Sequence, residues 1–222
     1  VRRGGRSFWA PWIRLVPTRD ELRQEHIAYA SEELLKLFAE LPVVTRVREW
    51  NAELWKFWEG LEDQHDLTFD DFKWAAVVVL SRVYLPPPAY SFMPFADMMN
   101  TGLSPNMEVY DSLQVGDDSE ATHYGMLLLP GACVHKGQEL LQAYVCVDNA
   151  ERLFRGGFLL EDNPQPLPPL PGGARACTAL REAAGAVAAL QPPAWAAAAA
   201  VGQPQLLAAL RALALEHCMA AT

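Results

Sequence analysis

Pro94-Phe95-Ala96-Asp97-Met98-Met99-Asn100, followed by Thr101 and Gly102, is the stretch on which the reading of this 222-residue chain turns. In isolation it describes an apolar segment ending in an Asn-Thr-Gly turn, with Met98 and Met99 entering a core. It gains weight from two segments nearer the C-terminus. Tyr144 lies 44 residues beyond Asn100, shortly after the turn sequence Gly137-Gln138-Glu139, and Gly157-Phe158-Leu159-Leu160-Glu161-Asp162-Asn163-Pro164 comes next. A lone tyrosine near a strand end is ordinarily a packed residue. Its fixed order between two other polar and glycine-bearing segments raises it above that.

Outward from these segments the chain changes character. Before residue 90 it reads as helical. Ser31 caps an apolar-periodic run from Glu32 to Phe38, and a second helix is expected from about Val43 to Trp58, with Val43, Val44, Val47, Trp50, Leu54, Trp55 and Trp58 on one broad face. Thr68 with Asp71 three residues on forms a capping-box pattern with Asp in place of Glu, opening a helix expected to reach about Tyr84, before Pro86-Pro87-Pro88. The early aromatic run Ser7-Phe8-Trp9-Ala10-Pro11-Trp12-Ile13 is too apolar for a free tail. After residue 90 strands and turns take over. Strands are expected at 106–110, 123–129 and 139–144, and a short helix from Asn149 to Phe154. Five prolines between Pro164 and Pro171 read as an extended linker, and 20 of the 49 residues from Ala174 onward are alanine, which favours helices broken at Pro192-Pro193 and Pro204.

Composition narrows the function classes. With 51% hydrophobic residues the chain can bury one sizeable core, and no apolar run approaches the roughly 18 residues of a membrane span, so a soluble protein is expected. Net charge is −9. Residues 1–50 hold nine basic and seven acidic side chains, and the remainder nine basic and twenty acidic. No basic stripe is available for a phosphate backbone, which argues against nucleic acid, whereas an acidic body attracts basic protein segments. Cys133, Cys146, Cys177 and Cys218 show neither zinc-ligand spacing nor a disulfide framework, as expected of a reducing, intracellular compartment, whether plastid, cytosol or nucleus. His123 and His135 lack the further ligands a metal site needs, so no metal is expected.

Taken in order, Pro94–Asn100, Tyr144 and Gly157–Pro164 resemble the C-terminal half of a SET domain. The variety is the split one, similar to the Rubisco large-subunit lysine methyltransferases and the actin-histidine methyltransferase. The resemblance covers about residues 5–164 and implies an α+β fold: SET β-structure with a helical insertion at about 17–88, the C-terminal SET part at about 89–163, a proline-rich linker at 164–173 and a helical segment at 174–222 that begins a substrate-binding domain. It also implies a S-adenosylmethionine (SAM)-dependent protein-lysine N-methyltransferase, or a protein-histidine one, acting as a monomer on a protein substrate, with neither nucleic acid nor membrane as partner.

By the same resemblance, Tyr144 is the catalytic tyrosine. Asp97, Met98, Met99, Asn100 and Thr101 form the knot-like segment at the cofactor, with Asn100 bonding the amino-acid moiety of SAM and Thr101 standing where the family has histidine. Arg82, of Ser81-Arg82, contacts the SAM carboxylate, and Gly157, Phe158 and Leu159 cover the adenine. Val145 follows the catalytic tyrosine where the family has glycine, and Gly156 replaces a tyrosine. The family's Gly-x-Gly turn that cradles SAM is not among these residues, so an upstream segment is expected to complete the cofactor site. Those departures keep an alternative open, a non-catalytic SET-like module that binds a protein partner.

Overall fold

A computed structural model of the chain describes residues 7–61, 67–84, 92–113, 123–144, 147–189 and 203–220. They sort into two compact units, one drawn from residues 7–12 and 82–144, the other from 13–81 and 147–220. Pro86–Pro88, Val145, Cys146 and Pro192-Pro193 lie outside the described residues.

The first unit carries a four-stranded sheet in the order β1-β4-β2-β3. β1 (Asn100–Thr101) runs parallel to β4 (Leu141–Gln142), with Asn100 opposite Leu141 and Thr101 opposite Gln142. β4 also meets β2 (Met107–Leu113) in parallel, Met107 facing Gln142, and β2 pairs antiparallel with β3 (His123–Leu128). Two-residue strands make few ladder bonds, and the buried Asn106 supplies what they lack. Its side chain donates to the Glu139 carbonyl (3.0 Å) and accepts from the Leu141 N–H (2.9 Å), while its own N–H donates to the Leu141 carbonyl (2.9 Å). The strand expected over 139–144 is therefore confined to Leu141–Gln142. Its partner β1 is bounded by a 3-10 turn at Ala96–Met98 and by Gly102, where an added Cβ would come within 3.0 Å of the Leu141 side chain.

The early aromatic run holds a single helical turn, α1 (Ala10–Ile13), and the second unit is helical. Helix α2 (Arg19–Glu25) opens with a Thr18/Glu21 capping box, and α3 (Glu32–Leu37) has Ser31 as its N-cap, bonded to the Leu34 N–H at 3.2 Å. Helix α4 (Pro42–Glu59) starts with proline in its first turn, where the missing N–H costs nothing, and buries Val43, Val44, Val47 and Leu54. Helix α5 (Phe69–Arg82) is preceded by the expected Thr68/Asp71 box: the Asp71 N–H donates to Thr68 Oγ1 (3.1 Å) and the Thr68 N–H to Asp71 Oδ2 (3.1 Å). Helix α6 (Asn149–Gly156) buries Leu153 and Phe154, whose ring meets Trp50 edge-on and lies under the Arg46 guanidinium at 4.0 Å.

Helices α7 (Gly173–Ala189) and α8 (Pro204–Ala220) pack on each other through Ala176, Cys177, Leu180 and Ala184 on one side and Leu206, Leu210, Leu213, Ala214 and Cys218 on the other. Both sets recur at three- and four-residue steps, the spacing of one helix face. Leu167 and Leu170 in the proline-rich stretch are buried, so that stretch is held within the unit. No helix among the described residues is long and apolar enough to cross a membrane.

His26 joins the 3-10 turn Ile27–Tyr29 to the end of α6. Its Nδ1 accepts from the Ala28 N–H (3.2 Å), which leaves Nε2–H to donate to the Arg155 carbonyl at 3.2 Å. Burial pushes the imidazole down to about 4 from its usual 6.5, because the charged ring cannot be solvated there. The unfolded chain thus takes up this proton at higher pH than the folded one, and stability falls as pH drops from about 6.5 toward 4. The expected loss is up to about 3 kcal/mol at the acid end. Urea titrations at pH 7 and pH 4.5 should show a drop that is smaller in His26→Gln, which keeps polar atoms but has no titrating proton.

Candidate functional site

The first unit gathers most of the site residues around the 3-10 turn and β1. Asp97, in the turn, has a fully buried side chain. Trp12 Nε1 donates to its Oδ2 at 2.7 Å. Arg82, the last residue of α5, donates from Nη1 to the Asp97 carbonyl (2.8 Å), lies 3.5 Å from Met98 Sδ and is 3.7 Å from Asp97 Oδ2. Burial raises the Asp97 carboxyl above its ordinary value, while the Trp12 indole and the Arg82 guanidinium pull it back. Two polar atoms of this cluster, Asp97 Oδ1 and Arg82 Nε, are buried with no hydrogen-bond partner among the described residues. Such atoms are costly to leave unpaired and usually mark a missing ligand or water.

One residue further on, the Tyr144 hydroxyl donates to the Met99 carbonyl at 2.7 Å, and the Tyr144 N–H donates to Thr101 Oγ1 at 3.2 Å. Tyr144 lies two residues beyond β4, so the parallel β1/β4 pair brings it to the motif. Thr101 thereby fixes the backbone of Tyr144, a bond available to a β-hydroxyl. The exposed Asn100 side chain donates from Nδ2 to Glu139 Oε1 at 2.6 Å. Gln142, buried on β4, has Nε2 at 2.6 Å and Oε1 at 3.0 Å from the Tyr84 hydroxyl, whose pKa is pushed up to about 12, chiefly by burial.

Gly157, Phe158 and Leu159 belong to the second unit. Gly157 ends α6 in the left-handed region (φ 76°), its N–H returning to the Leu153 carbonyl at 3.2 Å. A side chain there would also approach the Glu25 carbonyl at 3.1 Å. Gly156 has a local reason too. A Cβ at that position would come within 2.6 Å of the Phe158 ring, so glycine lets that ring fold back over the helix end. Asn149 fastens the following segment, accepting from the Leu160 N–H (3.0 Å) and donating to the Leu160 carbonyl (3.1 Å).

Arg82, Asp97 and Met98 are thus brought together, as are Met99, Thr101 and Tyr144, while Asn100 turns to Glu139. Sequence reasoning missed Trp12 and Glu139 as partners of these groups. For Trp12 a signal existed, since an indole in a run of aromatics carries an N–H that needs an acceptor once packed. Among the described residues no group of three or more His, Cys, Asp or Glu side chains is placed to hold a metal ion.

No protein-family model and no curated protein matches the chain. Solved structures do. The SET domain of LSMT bound to lysine and AdoHcy is 21% identical, with a TM-score of 0.56 over 73% of this chain and 38% of that one. Rubisco LSMT bound to AdoMet gives 15% identity and a TM-score of 0.64, over 99% of this chain and 70% of that one. Rubisco LSMT bound to sinefungin and monomethyllysine gives 16% and 0.63 over the same shares. The chain therefore spans 38% of the first of these proteins and 70% of the other two. At such identities the likeness establishes the fold: an α+β fold of the SET methyltransferase type.

Proposed function

We propose that this chain is part of a SAM-dependent protein-lysine N-methyltransferase resembling Rubisco LSMT, with histidine as a variant acceptor. One observation carries the reading. The Met99–Thr101 segment and Tyr144, more than 40 residues apart, are hydrogen-bonded into one cluster at the end of the β1/β4 pair, in a fold shared with structures bound to AdoMet and to lysine. The fit to SAM rests on Arg82, whose buried Nε–H lacks a partner among the described residues and suits a carboxylate. Asn100 would hold the amino-acid moiety, Asp97 to Thr101 would form the cofactor wall, and Gly157, Phe158 and Leu159 would cover the adenine. SAM supplies a methyl group already made electrophilic by its sulfonium. The remaining work is positioning and exclusion of water. Tyr144, its hydrogen committed to the Met99 carbonyl, offers oxygen lone pairs that would orient the N–H groups of a neutral acceptor amine. Helices α7 and α8 would begin a substrate-binding domain, and the protein would act as a monomer on protein, with neither nucleic acid nor membrane as partner.

A second reading, a non-catalytic SET-like module, draws on the 2.6 Å bond that occupies the Asn100 amide with Glu139. Calorimetric titration of the full-length protein with AdoHcy separates the two. Stoichiometric binding that Asn100→Ala weakens by roughly tenfold, the scale of one hydrogen bond to a charged group, is expected of the enzyme. Absence of any AdoHcy binding would leave the interaction module standing.

A further inference from the structure

Trp12 stands outside every role assigned above, yet it makes the shortest bond in the Asp97 cluster. Its indole ring is wedged between Trp9 (centroids 6.0 Å apart) and Phe92 (5.0 Å), which fixes where the N–H points. That N–H reaches Asp97 Oδ2 at 2.7 Å, on a carboxylate with no exposed side-chain surface. Asp97 in turn engages Arg82 twice, through its carbonyl at 2.8 Å and through Oδ2 at 3.7 Å. A buried carboxylate deprived of one of its few donors must turn, take up a proton or draw in water. Each response loosens its hold on the guanidinium.

We infer that Trp12 is a positioning residue: its indole N–H orients the Asp97 carboxylate and, through it, holds the Arg82 guanidinium ready for the carboxylate group of the cofactor. The inference rests on the cofactor reading above. Arg82 keeps its Nε–H edge buried and, among the described residues, unpaired, an arrangement that costs free energy and persists because the surroundings over-determine it. Direct pairing with Asp97 alone would leave the guanidinium free to pivot about its long side chain. The three-part chain Trp12–Asp97–Arg82 removes that freedom before the ligand arrives, which is where preorganisation gains affinity.

Trp12→Phe keeps an aromatic ring between Trp9 and Phe92 and removes only the donor. In the full-length protein, two ligands are titrated by calorimetry: AdoHcy, and 5′-methylthioadenosine, which keeps the adenosine and the sulfur but lacks the amino acid. The Arg82 Nε–Hε resonance is followed by nitrogen-15 NMR. AdoHcy affinity should fall roughly tenfold, the scale of one charge-assisted hydrogen bond, with methylthioadenosine unchanged and the Arg82 signal broadened or shifted toward free solution. Asp97→Asn, which keeps size and an acceptor for Trp12 but drops the charge, should reproduce this selective loss if Trp12→Phe folds poorly. Equal losses for both ligands would reduce Trp12 to a packing residue, and unchanged AdoHcy affinity with an unchanged Arg82 signal would overturn its positioning role. If the wild type binds neither ligand while Trp12→Phe still releases Arg82, the positioning chain stands and the cofactor reading falls.

Discussion

Tyr144→Phe is expected to lower the turnover of the full-length protein by about 10²-fold or more, the scale for removing one preorganised polar contact at a reacting centre. The substitution deletes a single oxygen. Among the bonds described, it forfeits the one from the hydroxyl to the Met99 carbonyl at 2.7 Å, worth about 1 kcal/mol, and the melting temperature should move by only a few degrees. The backbone anchor of this residue, its N–H to Thr101 Oγ1, is untouched by the change. Cofactor affinity should therefore survive while the chemical step fails, a split that single-turnover kinetics and AdoHcy titration would show together. Unchanged turnover in an otherwise active enzyme would make Tyr144 a packing residue that happens to tie β4 to the motif.

Much of the helical architecture was legible because its determinants are local. Ser31, Thr68 with Asp71, and the Val43–Val47–Leu54 spacing each act within a turn or two, and the helices they open stand within a few residues of expectation. The β-structure was less so. That a strand passes near 139–144 can be read from its apolar residues, but its length is set by β1, a partner 41 residues earlier whose own length depends on a 3-10 turn and Gly102. The site shows the same division. Its residues could be named from a motif, whereas their bonds could not. Trp12 reaches Asp97 across 85 positions and Tyr144 reaches Met99 across 45. The grouping of 147–220 with 13–81 is equally non-local, since it depends on faces that only the folded helices present to one another.

The largest stability effect is expected at Asn149, which the sequence offers as the first residue of a short helix. Its buried amide is fully employed. Oδ1 accepts from the Leu160 N–H at 3.0 Å and from Asn163 Nδ2 at 3.2 Å, and Nδ2 donates to the Leu160 carbonyl at 3.1 Å and to Glu216 Oε2 at 2.9 Å. One side chain thus joins the start of α6, the segment after Phe158 and helix α8. Asn149→Ala leaves these partners without it in a site that water enters poorly, at a cost of about 3 kcal/mol or more. For a chain of this size that lowers the melting temperature by roughly 6–12 °C. Asn149→Asp is isosteric and separates shape from hydrogen-bond polarity. It trades the donor for a second acceptor facing both the Leu160 carbonyl and the Glu216 carboxylate, so it should destabilise at least as much at pH 7. Lowering the pH to protonate the new carboxyl restores a donor and should recover part of the difference relative to wild type. Thermal melts of the three proteins at pH 7 and pH 5 decide the matter, and an Asp variant as stable as wild type at pH 7 would show that the amide network contributes shape alone.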